Sequence, residues 1–192
     1  MTLREIVRFV ALINLAYFGI EFAVALQIGS VSLFADSIDF LEDASINFLI
    51  LTALGWSATR RSLVGMGLAA ILLVPSLATL GMAWYKYSVP FAPSPIPLSL
   101  TGIGALLINV TCAFLLARQR RAAGSLTRAA FLSARNDAIA NVAIIAAGAV
   151  TAIMPTAWPD LIVGLGVAVL NLDAAREVYV AAKVERGLAA TG

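Results

Sequence analysis

Apolar stretches separated by short polar breaks run the length of the chain, and their bounds fall at Arg, Gly and Pro. They predict six helices near Glu5–Ile28, Val31–Trp56, Ser62–Tyr87, Leu98–Ala117, Leu126–Met154 and Pro159–Val184. A helix needs about 20 mostly apolar residues to cross the hydrocarbon of a bilayer, so each of these is a membrane span by length. The connections are a few residues long except at PFAPSPIP, Pro90 to Pro97. Proline at that density withholds the amide donors a helix needs, which predicts a stiff extended connection outside the hydrocarbon.

Two of the spans are interrupted by polar side chains at helical spacing. Asp36, Asp39 and Asp43 are three and four residues apart, so they form one acidic stripe on the second span, which Asn47 extends by a turn. On the fifth span Ser133, Asp137 and Asn141 are four apart and form a second stripe. The two helices run in opposite directions, and Asp43 and Asp137 both fall near mid-span. A charge near a bilayer centre costs about 2.5 to 3.5 kcal/mol on insertion scales, so several on one chain require something that offsets them, most simply a bound cation.

Composition agrees with the pattern. Of 192 residues 61% are hydrophobic and 12% charged, and mean hydropathy is +0.94; a soluble domain is about 45 to 50% apolar and about 25% charged. The expectation is an all-α membrane protein: one polytopic domain over residues 1–192, with no soluble C-terminal domain. Arg4, Arg8, Arg60, Arg61, Arg118, Arg120, Arg121, Arg128, Arg176, Lys183 and Arg186 fall on one side of the six-span map, and the opposite loops carry only Lys86. Both termini are therefore expected in the cytoplasm. Trp84, Tyr85, Tyr87 and Trp158 then sit at the outer interface, where amphipathic rings are favoured. The net charge of +2 is spread over short flanks that set topology, with no long basic segment to follow a phosphate backbone, so the partners implied are the lipid bilayer and not nucleic acid. The first apolar run is too long for a cleaved leader and contains Asn14 and Glu21. With Cys112 the only cysteine, no disulfide can form within one chain.

Two facing helices that each supply an i, i+4 pair can surround one ion with about four ligands. Here the four positions are Asp39, Asp43, Ser133 and Asp137. The plainer reading is that these groups only hydrogen-bond one helix to another; three carboxylates on two faces at one depth argue against it. An aspartyl hydrolase built on Asp43 and Asp137 is disfavoured, because neither residue lies in a Gly-x-Gly-Asp setting and the site has surplus carboxylates.

These residues resemble a known family. GSVSLFADSIDFLED, Gly29 to Asp43, resembles the second-helix signature of the cation diffusion facilitators, in which Asp or His is followed four residues later by Asp. SLTRAAFLSARNDAIANVAII, Ser125 to Ile145, resembles their fifth-helix signature, and Asn109 and WPDLIV, Trp158 to Val163, fit the same pattern. The resemblance implies six helices and proton-coupled export of a divalent metal by alternating access, with no enzymatic activity and no bound cofactor. Zn²⁺ is the first expectation, with Cd²⁺, Mn²⁺, Fe²⁺ and Co²⁺ as relatives, and the expected location is the cytoplasmic (inner) membrane of a bacterium. The rival readings are a non-transporting membrane partner subunit and an organic-cation/proton exporter.

The chain departs from the family pattern at two places. Ser133 stands where the fifth helix usually has His or Asp, and there is no histidine; all-oxygen coordination, with Asn136 or water as the other candidate for the fourth ligand, moves preference toward harder cations such as Mn²⁺ or Fe²⁺. The cytoplasmic domain that typical members carry after the sixth helix is not expected here. A homodimer would then be held by membrane helices, where Gly65, Gly67, Gly81 and Gly102 permit close approach, although packing within one subunit is the simpler use of them. Around the four positions, Asp36 is expected to support the site or line its access path, as are Asn141 and Asn109, while Glu21 is expected either to line an entry path or simply to lie near the outer interface. Glu42 and Arg135 are expected to form an ion pair, with Arg135 as a candidate to neutralise the site when metal leaves. Pro75 is expected to kink the third span.

Overall fold

In the computed structural model, which describes residues 2–53, 63, 67, 77–119, 124–171 and 180, every regular element is a helix. Helix α1 spans Leu3–Ile28. It starts two residues before the predicted Glu5 because Thr2-Leu-Arg-Glu5 is a capping box: Glu5 N donates to Thr2 Oγ1 at 3.3 Å, and Thr2 N donates to Glu5 Oε2 at 2.7 Å. It stops at Gly29, whose φ of 63° and ψ of 39° are left-handed. A Cβ there would also overlap the edge of the Phe91 ring at Cε2, which adds to the preference for glycine that the left-handed backbone sets.

Helix α2 spans Val31–Ala53, α4 Pro95–Gln119 and α5 Gly124–Ile153. Between α2 and α4 the described part of the third helix, α3, covers 77–88, with helical positions at 63 and 67; Pro75 lies outside the described residues. Helix α6 is described over Trp158–Asn171, and the rest of its predicted length, apart from position 180, lies outside the described residues. One boundary is a correction. Pro95 and Pro97 belong to the first turn of α4, not to an extended linker, and Leu98 N donates to Ser94 O at 3.2 Å. First-turn amides have no partner within a helix, so proline forfeits nothing there.

Helix α1 packs along α2 and α4 along α5, and contacts of α1 with α4 and of α2 with α5 close a four-helix bundle. One end is sealed by Ile6, Val10, Cys112, Leu116 and Ala134. The other, called distal below, is sealed by Ala25, Leu33, Phe34, Ile38, Leu98 and Ile144. There Val31, Ala83, Ala157 and Leu161 join α3 and α6 to the start of α2. Glycines set the closest approaches: Gly104 lies under the Tyr17 hydroxyl, Gly148 under Ser99, and Gly164 against the backbone of Val31 and Ser32. Gly102 meets Ile144 and Ile145 and so serves packing within the chain, while Gly67 and Gly81 face open space; Gly65 lies outside the described residues.

The outer faces are apolar. Leu12, Ile20, Leu100, Leu107, Phe114, Ile139 and Val142 are exposed, a surface that water disfavours and lipid does not. Leu3–Ile28, Pro95–Ala117 and Ala134–Ile153 are each long and apolar enough to cross a membrane. Trp84, Tyr85, Tyr87 and Trp158 are exposed together at the distal end, with the Tyr87 and Trp158 rings edge to face at 6.1 Å.

Candidate cation site

Helix α2 carries the acidic stripe, so its placement matters most. Its first amides need acceptors. Ser30 caps it, with Leu33 N donating to Ser30 Oγ at 3.2 Å. From α6, Asp160 completes the cap: Val31 N (2.8 Å) donates to Oδ2 and Ser32 N (3.2 Å) to Oδ1, and the hydroxyls of Ser30 and Ser32 (both 2.6 Å) donate to Oδ1. From α3, Lys86 Nζ pairs with Asp160 Oδ2 at 2.7 Å and donates to Gly29 O at 2.7 Å, and it lies 4.8 Å from the centre of the Phe91 ring. Both charges are buried. The knot fixes the height and rotation of α2 against α3 and α6.

Sequence reasoning did not find this knot. Its signals were present: Lys86 is alone among basic residues in the loops predicted to lie outside, and Asp160 sits in the WPD stretch.

One to three turns further along α2 the carboxylates are held differently. Asp36 Oδ2 accepts from Asn141 Nδ2 on α5 at 2.5 Å, and Asn141 Oδ1 accepts from Asn109 Nδ2 on α4 at 2.9 Å. Glu21 comes in from α1 and lies against Asp36. These four side chains, one from each helix of the bundle, form a buried layer.

Asp39, a turn further along α2 and away from the distal end, is only partly buried. Among the described residues its charged neighbours are carboxylates: Asp137 across the α2–α5 contact, Asp36, Glu42 and Asp43. Asp137 is also partly buried, whereas Glu42 and Asp43 are buried. Asp43 and Asp137 both act on Cys112 of α4, which puts them at similar depth. Asn47 Nδ2 donates to Asp43 O at 2.7 Å. The Ser133 backbone is helical, and its side chain lies outside the described part of the structure. Among the described residues no three His, Cys, Asp or Glu side chains converge tightly enough to grip a metal.

The structure thus brings Asp39 toward Asp137 and gathers Asp36, Glu21, Asn141 and Asn109. The expected Glu42–Arg135 ion pair is not formed. Arg135 is exposed and donates from Nη2 to Asn136 Oδ1 at 3.2 Å. The helix turns about 100° per residue, so burying Ala134 in the core rotates Arg135 away from α2.

A helical bundle with apolar outer faces and a row of carboxylates along its axis defines an integral membrane protein that handles cations. Residues 7–183 match the cation efflux transmembrane domain, and the chain belongs to that family. The family transports metal cations, and its members are transporters, not enzymes. Among curated proteins no relative matches the chain.

Proposed function

We propose that the chain exports a divalent cation, Zn²⁺ first among Zn²⁺, Cd²⁺, Mn²⁺, Fe²⁺ and Co²⁺, from the cytoplasm in exchange for protons. Asp39, Asp43, Ser133 and Asp137 are the positions that take the metal. The observation that carries this reading is the approach of Asp39 to Asp137 across α2 and α5, both only partly buried, with the buried Asp43 at a depth similar to that of Asp137. Carboxylates gathered from two helices supply the negative charge that a divalent cation needs.

Metal and proton compete for the same carboxylate oxygens, since a carboxylate must be deprotonated to ligate. An inward proton gradient would then expel metal as the helices rock around a fixed site, with both termini in the cytoplasm and the knot at the outer face. A reporter active only outside the cytoplasm, fused after Gly192, should be silent. Reconstituted protein with an imposed pH gradient should accumulate Zn²⁺ or one of its relatives. Movement of an organic cation without any metal would favour the exporter reading instead, and movement of neither would favour a partner subunit.

A further inference from the structure

The layer made by Glu21, Asp36, Asn141 and Asn109 is distinct from the four positions above and poses a problem of its own. Glu21 and Asp36 are both 0% exposed, and their carboxyl groups are neighbours. Among the described residues neither Glu21 oxygen nor Asp36 Oδ1 has a hydrogen-bond donor. An ionised carboxylate out of water without partners is costly, and a second beside it adds repulsion. No basic side chain among the described residues pairs with either, and Lys86, the buried lysine, is committed to Asp160. A divalent metal is equally ill served. It takes about four ligands, and among the described residues the layer offers two carboxylates and two amides already engaged with each other and with Asp36.

A single proton resolves the layer. The amide chain is directional: Asn109 donates to Asn141 Oδ1, which leaves the Asn141 amide nitrogen to face Asp36 Oδ2 as a donor. Asp36 Oδ2 is therefore an acceptor and carries no proton. A proton on Glu21 would let its O–H donate to Asp36 Oδ1, leaving one unpartnered oxygen in place of three and reducing the pair's charge from −2 to −1. We infer that Glu21 and Asp36 form a proton-binding site in the distal half of the bundle, with the proton held between Glu21 and Asp36 Oδ1 and the Asn109–Asn141 chain holding Asp36 as the acceptor.

The other titratable groups facing the pair are Tyr17 on α1, whose hydroxyl donates to Thr101 O at 2.6 Å, and Asp39 on α2. Asp137 bears on Asp39 from α5, and Asn109 is the polar contribution of α4 to the layer. Proton occupancy stands on this geometry alone. That the same proton is one exchanged for metal rests on the transport reading.

The first test is infrared spectroscopy of metal-free purified protein at neutral pH. Wild type should show the carbonyl stretch of a protonated carboxylic acid, sensitive to H/D exchange. Glu21→Gln, which keeps a donor at the same place, should lose that component, and Asp39→Asn should retain it. Asp36→Asn should shift its frequency, which keeps the assignment testable if the Gln variant folds poorly. An unchanged band in folded Glu21→Gln protein, or a band that ignores Asp36→Asn, would overturn the site.

The second test is functional. In Glu21→Gln, direct metal binding should be unchanged, while the acceleration of metal uptake by a pH gradient should fall at least tenfold. Loss of one bound metal equivalent would instead make the pair a metal station and defeat the proton assignment. If wild type moves no metal, the transport reading fails while the infrared result still decides the proton.

Discussion

Asp160 and Asp36 are equally buried, both at 0% exposure, and they live in opposite ways. Asp160 accepts five hydrogen bonds, one of them from a lysine. Asp36 accepts one from a neutral amide, leaves its other oxygen unpartnered, and has a second carboxyl beside it. Burial alone does not separate a structural charge from a working one; the supply of donors does. A saturated carboxylate has nothing left to offer an ion, and its loss should be felt in stability. Further along α2, Asp36 is short of donors and Asp39 is crowded by like charge, and the loss of such carboxylates should be felt in transport.

Substitutions can break or sharpen this contrast. The largest effect is expected in the middle of the bundle: Asp39→Ala, Asp43→Ala or Asp137→Ala should abolish metal-dependent transport in proteoliposomes while leaving membrane insertion and thermal unfolding close to wild type, since removing an intramembrane charge eases insertion. Wild-type rates in two of the three would end the proposed metal positions. At the distal end the pattern should invert. Asp160→Ala leaves Lys86 buried without its partner and strips the α2 amides of an acceptor, which should cost about 3 to 5 kcal/mol in detergent unfolding. Adding Lys86→Met to Asp160→Asn should restore part of the loss seen in Asp160→Asn alone.

Gly164→Ala tests the knot without touching a charge. Its new methyl would lie 2.7 Å from Ser32 N and from the Val31 carbonyl carbon, backbone atoms that cannot swing aside, so a loss of about 1 to 3 kcal/mol is expected. Ser133→His should raise Zn²⁺ affinity relative to Mn²⁺ by roughly tenfold, about 1.4 kcal/mol, because a ring nitrogen suits Zn²⁺ better than a hydroxyl. An unchanged ratio, read by direct binding to folded protein, would remove Ser133 from the coordination shell. The smallest change is expected for Asn109→Ala. A single interhelical hydrogen bond in a membrane bundle is worth on average about 0.6 kcal/mol, a difference resolvable only by comparing unfolding midpoints.

The sequence by itself determined the class, the described helices to within a few residues at their ends, and the two polar stripes. Each rests on local periodicity: 3.6 residues per turn puts Asp36, Asp39 and Asp43 on one face whatever surrounds them. The start of α1 was also legible locally, in Thr2 and Glu5, and the start of α4 in the tolerance of a first helical turn for proline. The tertiary structure decided which stripe meets what. Lys86 and Asp160 are 74 residues apart, Asp36 and Asn141 105 apart, and no periodicity relates positions on different helices. The rotation of each helix is set by the close approaches at Gly104, Gly148 and Gly164 and by the hydrogen bonds those approaches allow. That rotation saturates Asp160, leaves Glu21 and Asp36 to share what one proton can supply, and turns Arg135 away from the acid it was expected to neutralise.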